Sequence, residues 1–260
     1  MMKALEPVLD SILNYTVANA GGVPGVVAMA TDRHGNFYEG AAGVRQLGSP
    51  QAMTADSVML LASCTKAVTG AAVMQLVEEG LVSLDDAAKK YVPDIGKCQV
   101  LTGFDAAGKP QLRAPTCDIT LRHLMLHTSG LCYEFFSADE ARYRAAAGVP
   151  SIFASCYDAL QSVMIHDPGE RWSYGPNIDW LGKIVEVLRG KALGAVFSER
   201  IFAPLGMQDI GFEMSPSMRA RLAAVHQRAA DGSLAAVPEL VLPQPPLMDM
   251  GGHGLYSTAV

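Results

Sequence analysis

Ser63 and Lys66 stand three residues apart in LLASCTKAVTGAAVMQLVEEG (60–80), where small residues run straight into an apolar helical pattern. A lysine is costly to bury without a partner. Here it either faces water or has its proton put to use. Residues at i and i+3 share a helix face, so the two side chains can touch. A helix N-terminus also offers free N–H groups and a positive dipole end, which can hold the oxyanion formed when Ser63 attacks an acyl group. The same dipole and apolar surroundings disfavour an ammonium, so such a lysine can accept the serine proton. Spacing alone is a thin signal: 16 Ser and 8 Lys in 260 residues give about 0.5 such pairs by chance. The plainer alternative is a helix-entry serine with a solvated lysine. The apolar helix behind the pair favours chemistry.

A third candidate is Tyr174 in WSYGPNIDWLGKIVEVLRG. Gly175 and Pro176 follow it, so the pattern puts it on a turn that enters a helix. A tyrosine there can present its hydroxyl into a cleft, although a packed aromatic with a satisfied hydroxyl is the default. Beside a lysine its phenol ionises more easily. Tyr133, Phe135 and Phe136 follow Gly130 in an expected loop. With Trp172 and Pro176 around Tyr174, and His253 and Gly254 further on, they are candidates for contacting substrate. His123 and His127 are four apart, but HLMLH lacks the glutamate of HExxH and no third ligand is evident. No Walker A loop, GxGxxG or GxSxG elbow occurs. Neither a metal nor an organic cofactor is expected.

The elements around these residues read as follows. Residues 4–19 form an amphipathic helix. VVAMA and NFYEGAAGV are the arms of a β-hairpin turned at Asp32–Asn36. A helix from about 63 to 79 ends before Gly80. A small hairpin covers 104–115 with Gly108 in its turn, and Thr120 caps a short helix that stops before Gly130. Further helices are expected at 138–147, 151–164, 177–189 and 193–203. A third hairpin at 226–236 turns at Asp231 and Gly232. Strands, then helices, then strands imply an α+β protein with a helical region inserted between parts of a sheet. The expected partition is 1–80 with the serine–lysine helix, 81–205 mainly helical, and 206–260 returning to the first part.

Half of the residues are hydrophobic and 18% are charged, a globular composition with ample core. The net charge of −6 and the lack of a basic patch argue against nucleic acid as partner. No apolar run reaches the roughly 18 residues of a membrane span, and the N-terminus lacks signal-peptide features. Five cysteines without CxxC spacing fit free thiols in a reducing cytoplasm. The oligomeric state is not legible.

Taken in order, VPGVVAMA, LASCTKAVTGAAVMQLVEEGLVSLDD, ITLRHLMLHTSGL, DPGERWSYGPNIDWLGKIVE, IFAPLGM and GGHGLYSTA resemble the serine β-lactamase-like group. That group includes class C β-lactamases, D-alanyl-D-alanine peptidases and family VIII carboxylesterases. ITLRHLMLHTSGLCY and DPGERWSYGPNIDWLGK are especially similar to the lovastatin-type acyltransferase branch and its esterase relatives. The resemblance implies Ser63 as nucleophile, Lys66 as its base and Tyr174 as the second-motif tyrosine. It also implies a β-lactamase/transpeptidase-like fold: an antiparallel sheet flanked by helices, an inserted helical domain, and the site between the two domains. The expected activity is a serine carboxylesterase acting on small ester substrates. Acyl transfer to an alcohol is the nearest alternative, and β-lactamase, peptidase or a non-catalytic penicillin-binding homologue are further ones.

Two departures from the family pattern matter. In β-lactamases an asparagine follows the tyrosine by two residues, whereas Pro176 stands there and Asn177 comes one later. A proline cannot offer a side-chain amide to a lactam, which favours esters. The family's third motif, on a strand beyond GGHGLYSTA, is also expected after the end of this chain. The strand near Val26–Ala30 is therefore expected to have an open edge.

Overall fold

The computed structural model describes residues 5–19, 21–237 and 240–260, so residue 4 of the first expected helix lies outside the described residues. The chain folds as two compact units. One comprises residues 1–60, 209–241 and 256–260; the other comprises 61–208 and 242–255. This division differs from the expected partition at two places: residues 61–80 and residues 242–255 both group with the helical residues. The serine–lysine helix packs with the helical residues, because its apolar face is buried against other helices.

In the first unit, α1 (Glu6–Ala18) lies on an antiparallel ribbon of β1 (Gly25–Asp32) and β2 (Gly35–Gly43). Leu13, Tyr38 and Ala42 form the buried seam, with Leu9, Val17, Val26, Ala28 and Ala30 packed around it. Strand alternation sends every second residue to one face, which is how Tyr38 and Ala42 come to share it. Among the described residues β1 pairs with β2 alone, the open edge expected at Val26–Ala30. A short antiparallel sheet joins β3 (Met59–Leu60) and β6 (Ile210–Gly211) to the central β9 (Tyr256–Ser257). The expected hairpin at 226–236 is β7 (His226–Arg228) and β8 (Leu234–Ala236).

The second unit holds the long helices. α2 (Thr65–Glu78) and α5 (Asn177–Arg189) pack together, and α5 also meets α3 (Leu121–Met125) and α6 (Leu193–Phe197). Trp180, Leu181 and Ile184 of α5, Leu76 of α2, and Leu121 and Leu124 of α3 are fully buried there. The hairpin of β4 (Val100–Phe104) and β5 (Pro110–Arg113) turns at Gly108, as expected, and α4 (Ala138–Ala147) ends on the left-handed Gly148. The helix expected at 151–164 is not one. Two 3-10 turns, Ile152–Ala154 and Tyr157–Leu160, occupy it. Between them Ser155 takes a left-handed φ of 48°, which breaks the helical path. The helix expected at 193–203 is α6 followed by a wider turn, Ser198–Phe202.

Candidate active site

Ser63 sits in a 3-10 turn, Ala62–Cys64, that runs into α2. Ala62 has φ 44°, a left-handed conformation costly for a non-glycine residue. This sharp entry leaves Ser63 exposed, while Lys66 one turn on is half-buried. The Lys66 Nζ lies 3.2 Å from Ser63 Oγ, so the two candidates picked by spacing do touch. Tyr174 OH donates to Ser63 Oγ at 2.7 Å, and its ring centroid is 4.7 Å from Lys66 Nζ. Ser63, Lys66 and Tyr174 all belong to the second unit, and no domain boundary separates them.

Lys66 has two further partners. Its Nζ donates to the carbonyl oxygen of Gly252 at 2.6 Å and to Tyr133 OH at 3.3 Å. Both partners are held by Asp179, a fully buried residue in the first turn of α5. Its Oδ1 accepts from Gly252 N–H at 2.7 Å and its Oδ2 from Tyr133 OH at 3.4 Å. A side chain on residue 252 would bring a Cβ to 2.3 Å from Asp179 Oδ2, so the close approach requires glycine. α2 fixes the same segment: Thr69 Oγ1 donates to Gly251 O at 2.7 Å, and Thr65 Oγ1 accepts from Leu255 N–H at 3.1 Å.

The two tyrosines differ in setting. Tyr133 is 3% exposed. Burial pushes its phenol far above the ordinary range, with Asp179 and Tyr174 adding to the effect, so it stays a neutral phenol. Tyr174 is only half-buried and makes the direct contact with Ser63. Of the two, Tyr174 is the one placed to pass a proton.

The Tyr174 turn is set from behind by histidines. His127 Nδ1 faces the Asn177 side-chain nitrogen at 2.9 Å and Gly175 N–H at 3.5 Å, so it accepts and the ring is neutral. Ser129 donates to Asn177 Oδ1. The His127 carbonyl accepts from Ser173 N–H at 2.8 Å, and His166 Nε2 lies 2.8 Å from Ser173 Oγ. The Asn177 amide is therefore spent inside this loop. Burial, with Lys66 adding, lowers the His127 pKa from 6.5 to about 4, and burial lowers that of His253 as well. Unfolded histidine keeps a pKa near 6.5, so between the two values the unfolded chain binds more protons. The stability these histidines contribute is present above about pH 6.5 and lost as pH falls toward 4. The urea midpoint is expected to drop across that window, and less steeply for His127→Gln. A flat midpoint from pH 7 to 4.5 would contradict the buried neutral histidine.

The remaining substrate-contact candidates divide. Trp172 stacks on Tyr174 with centroids 5.9 Å apart, Phe136 meets the Tyr174 ring edge-on at 5.9 Å, and Phe135 stacks on Tyr133 at 5.0 Å. All three are largely exposed and form a rim. His253 is buried against Phe153. Pro176 is buried as the residue preceding α5, and Gly254 N–H is bonded to Met250 O. Sequence reasoning missed Asp179 and Gly252. Asp179 had one readable signal, a carboxylate on the otherwise apolar buried face of NIDWLG.

Among the described residues, no group of three or more His, Cys, Asp or Glu side chains is placed to hold a metal ion. No described helix is long and apolar enough to cross a membrane. The family model described as Beta-lactamase matches residues 9–260. The chain belongs to the beta-lactamase family. Monacolin J acid methylbutanoyltransferase of Aspergillus terreus is 37% identical to it, over 90% of this chain and 59% of that protein. Lovastatin esterase of Penicillium rubens is 34% identical, over 93% of this chain and 63% of that protein. Among solved structures, simvastatin synthase from Aspergillus terreus, in the LovD6 mutant form, matches with a TM-score of 0.87 at 34% identity, over 97% of this chain and 63% of that one. The chain thus spans less than two thirds of the length of these relatives. The likeness gives it the β-lactamase/transpeptidase-like α+β fold, within a family that includes serine hydrolases and acyltransferases.

Proposed function

We propose that the protein cleaves small carboxylic esters through an acyl-enzyme on Ser63. The observation that carries the reading is the double contact of Ser63 Oγ, with Tyr174 OH at 2.7 Å and Lys66 Nζ at 3.2 Å. Both neighbours point protons at Oγ in this arrangement. Attack on an ester carbonyl therefore proceeds when one of them, as amine or phenolate, takes the serine proton. The proton then passes to the departing alkoxide, and the Ser63 amide at the mouth of the turn faces the oxyanion. Tyr133 and the Gly252 carbonyl hold the Lys66 amine in place. Water releases the acyl group as a carboxylic acid and restores Ser63.

A second reading is release of the acyl group to an alcohol. Relatives named as acyltransferases support it, and so does the exposed aromatic rim of Phe135, Phe136 and Trp172, which suits an apolar acceptor. The two readings separate in one experiment: hydrolysis of p-nitrophenyl butyrate with and without an added apolar alcohol. Butyrate as the main product supports the esterase. The butyrate ester of the added alcohol as the main product supports the transferase.

β-Lactam hydrolysis is disfavoured, because Pro176 has no amide and the Asn177 amide is already bonded to His127 and Ser129. An unmade hydrogen bond costs about 1 kcal/mol or more. kcat/KM for p-nitrophenyl butyrate is therefore expected to exceed that for nitrocefin by about fivefold or more. A larger value for nitrocefin would make lactams the substrate.

A further inference from the structure

Phe153 is nearly half exposed, at 46%, although it stands in a chain segment tied down at every neighbouring residue. Its ring lies parallel to Phe135, with centroids 5.7 Å apart and planes 15° apart, and Phe135 lies parallel to Tyr133. The three rings form a flat apolar ladder that begins at Tyr133, a partner of Lys66. The Phe153 ring packs at right angles to His253, centroids 5.9 Å apart, next to the Gly252 carbonyl that Lys66 also binds.

What fixes Phe153 is an ion network on the other side of the same loop. Glu134, the residue after Tyr133, accepts at Oε1 from Ser151 Oγ at 2.7 Å and from Ile152 N–H at 3.0 Å. Those are the two residues before Phe153. Its Oε2 lies 3.5 Å from Arg144 Nε. Arg144, 5% exposed, donates to Glu140 Oε1 at 2.7 Å, to Ala159 O at 3.0 Å and to Pro150 O. One carboxylate thus joins the loop that carries Tyr133 and Phe135 to the turn that carries Phe153.

Resting on the Ser63 acyl-enzyme reading, we propose that Phe153 is a specificity-determining residue of the site and Glu134 the positioning residue that sets it. The substrate class is an ester bearing a flat aromatic group that lies along the Phe135–Phe153 ladder. Aromatic faces prefer offset or edge-on aromatic partners, and a ladder with an exposed end offers one more place in the stack. Its geometry depends on the turn at Ile152–Ala154 keeping its anchor. The Ile152 N–H would otherwise be left without the acceptor it has in Glu134.

The test compares kcat and KM for p-nitrophenyl phenylacetate, with the aromatic group on the acyl side, and benzyl acetate, with it on the alcohol side. p-Nitrophenyl acetate and ethyl acetate are the respective references. Phe153→Ala, a change at an exposed ring that leaves the core intact, is expected to lower the aromatic-over-reference ratio of kcat/KM about tenfold, chiefly through KM. The arm that falls tells which side of the ester the ladder holds. Glu134→Ala is expected to lower the same ratio. Glu134→Gln, which keeps a side-chain carbonyl for Ile152 N–H, is expected to restore most of it. If both ratios stay at the wild-type value in Phe153→Ala while Ser63 still takes a fluorophosphonate label, the ladder has no role in specificity and only this proposal falls. Equal losses in Glu134→Ala and Glu134→Gln would overturn the positioning role of Glu134. Absence of the label from Ser63 would overturn the acyl-enzyme reading, and this one with it.

Discussion

Ser63→Ala is expected to remove ester cleavage almost completely, by about 10⁶-fold in kcat, the scale seen when a catalytic serine is lost. Ser63 is the exposed hydroxyl at the strained entry to α2, with Ala62 at φ 44°. It lies within hydrogen-bond reach of both Lys66 and Tyr174. Alanine removes the attacking oxygen and leaves the helix, the lysine and the tyrosine where they are. Folding should therefore be unchanged, and circular dichroism and the thermal midpoint check that. Cys64 is also exposed and stands beside Ser63 in the chain, so it is the natural control. Cys64→Ala should keep its turnover. The converse pattern, an inactive Cys64→Ala and an active Ser63→Ala, would move the nucleophile to the thiol.

The second large effect belongs to Lys66→Ala. General acid–base catalysis contributes about 10²- to 10⁴-fold, and loss of the amine is expected to lower kcat into that range with a smaller change in KM. The lysine donates to three acceptors: Ser63 Oγ, Tyr133 OH and the Gly252 carbonyl. Its removal unties the last two as well. Lys66→Met keeps most of the stem and separates the packing loss from the loss of the amine. Comparable kcat losses in both variants assign the effect to the proton acceptor. Near-normal kcat in Lys66→Met would leave Tyr174 as the only base.

The serine–lysine pair was legible because i, i+3 spacing is a local property of a helix, and Tyr174 because a Tyr-Gly-Pro turn announces a fixed hydroxyl before a helix. The hairpins at 25–43, 100–113 and 226–236 were legible for the same local reason: turn residues lie between runs suited to strands. What escaped was non-local. Asp179 reads as one more residue of an apolar helix until the fold brings Gly252, 73 residues away, onto its carboxylate. The Gly252 carbonyl carries no side-chain signature at all, yet it is the shortest contact of Lys66. The segment 151–164 has helical composition, but the left-handed Ser155 and the Glu134 anchor on Ser151 and Ile152 divide it into two turns. The exposed Phe153 stands in the first of these turns.

The central claim is that Ser63 carries the acyl group, and covalent trapping tests it most directly. Incubation with a fluorophosphonate, followed by proteolysis and mass spectrometry, is expected to give one adduct, on Ser63, that is absent from Ser63→Ala and much slower to form in Lys66→Ala. An adduct on Cys64, Tyr174 or any other residue, with Ser63 unmodified, would contradict it.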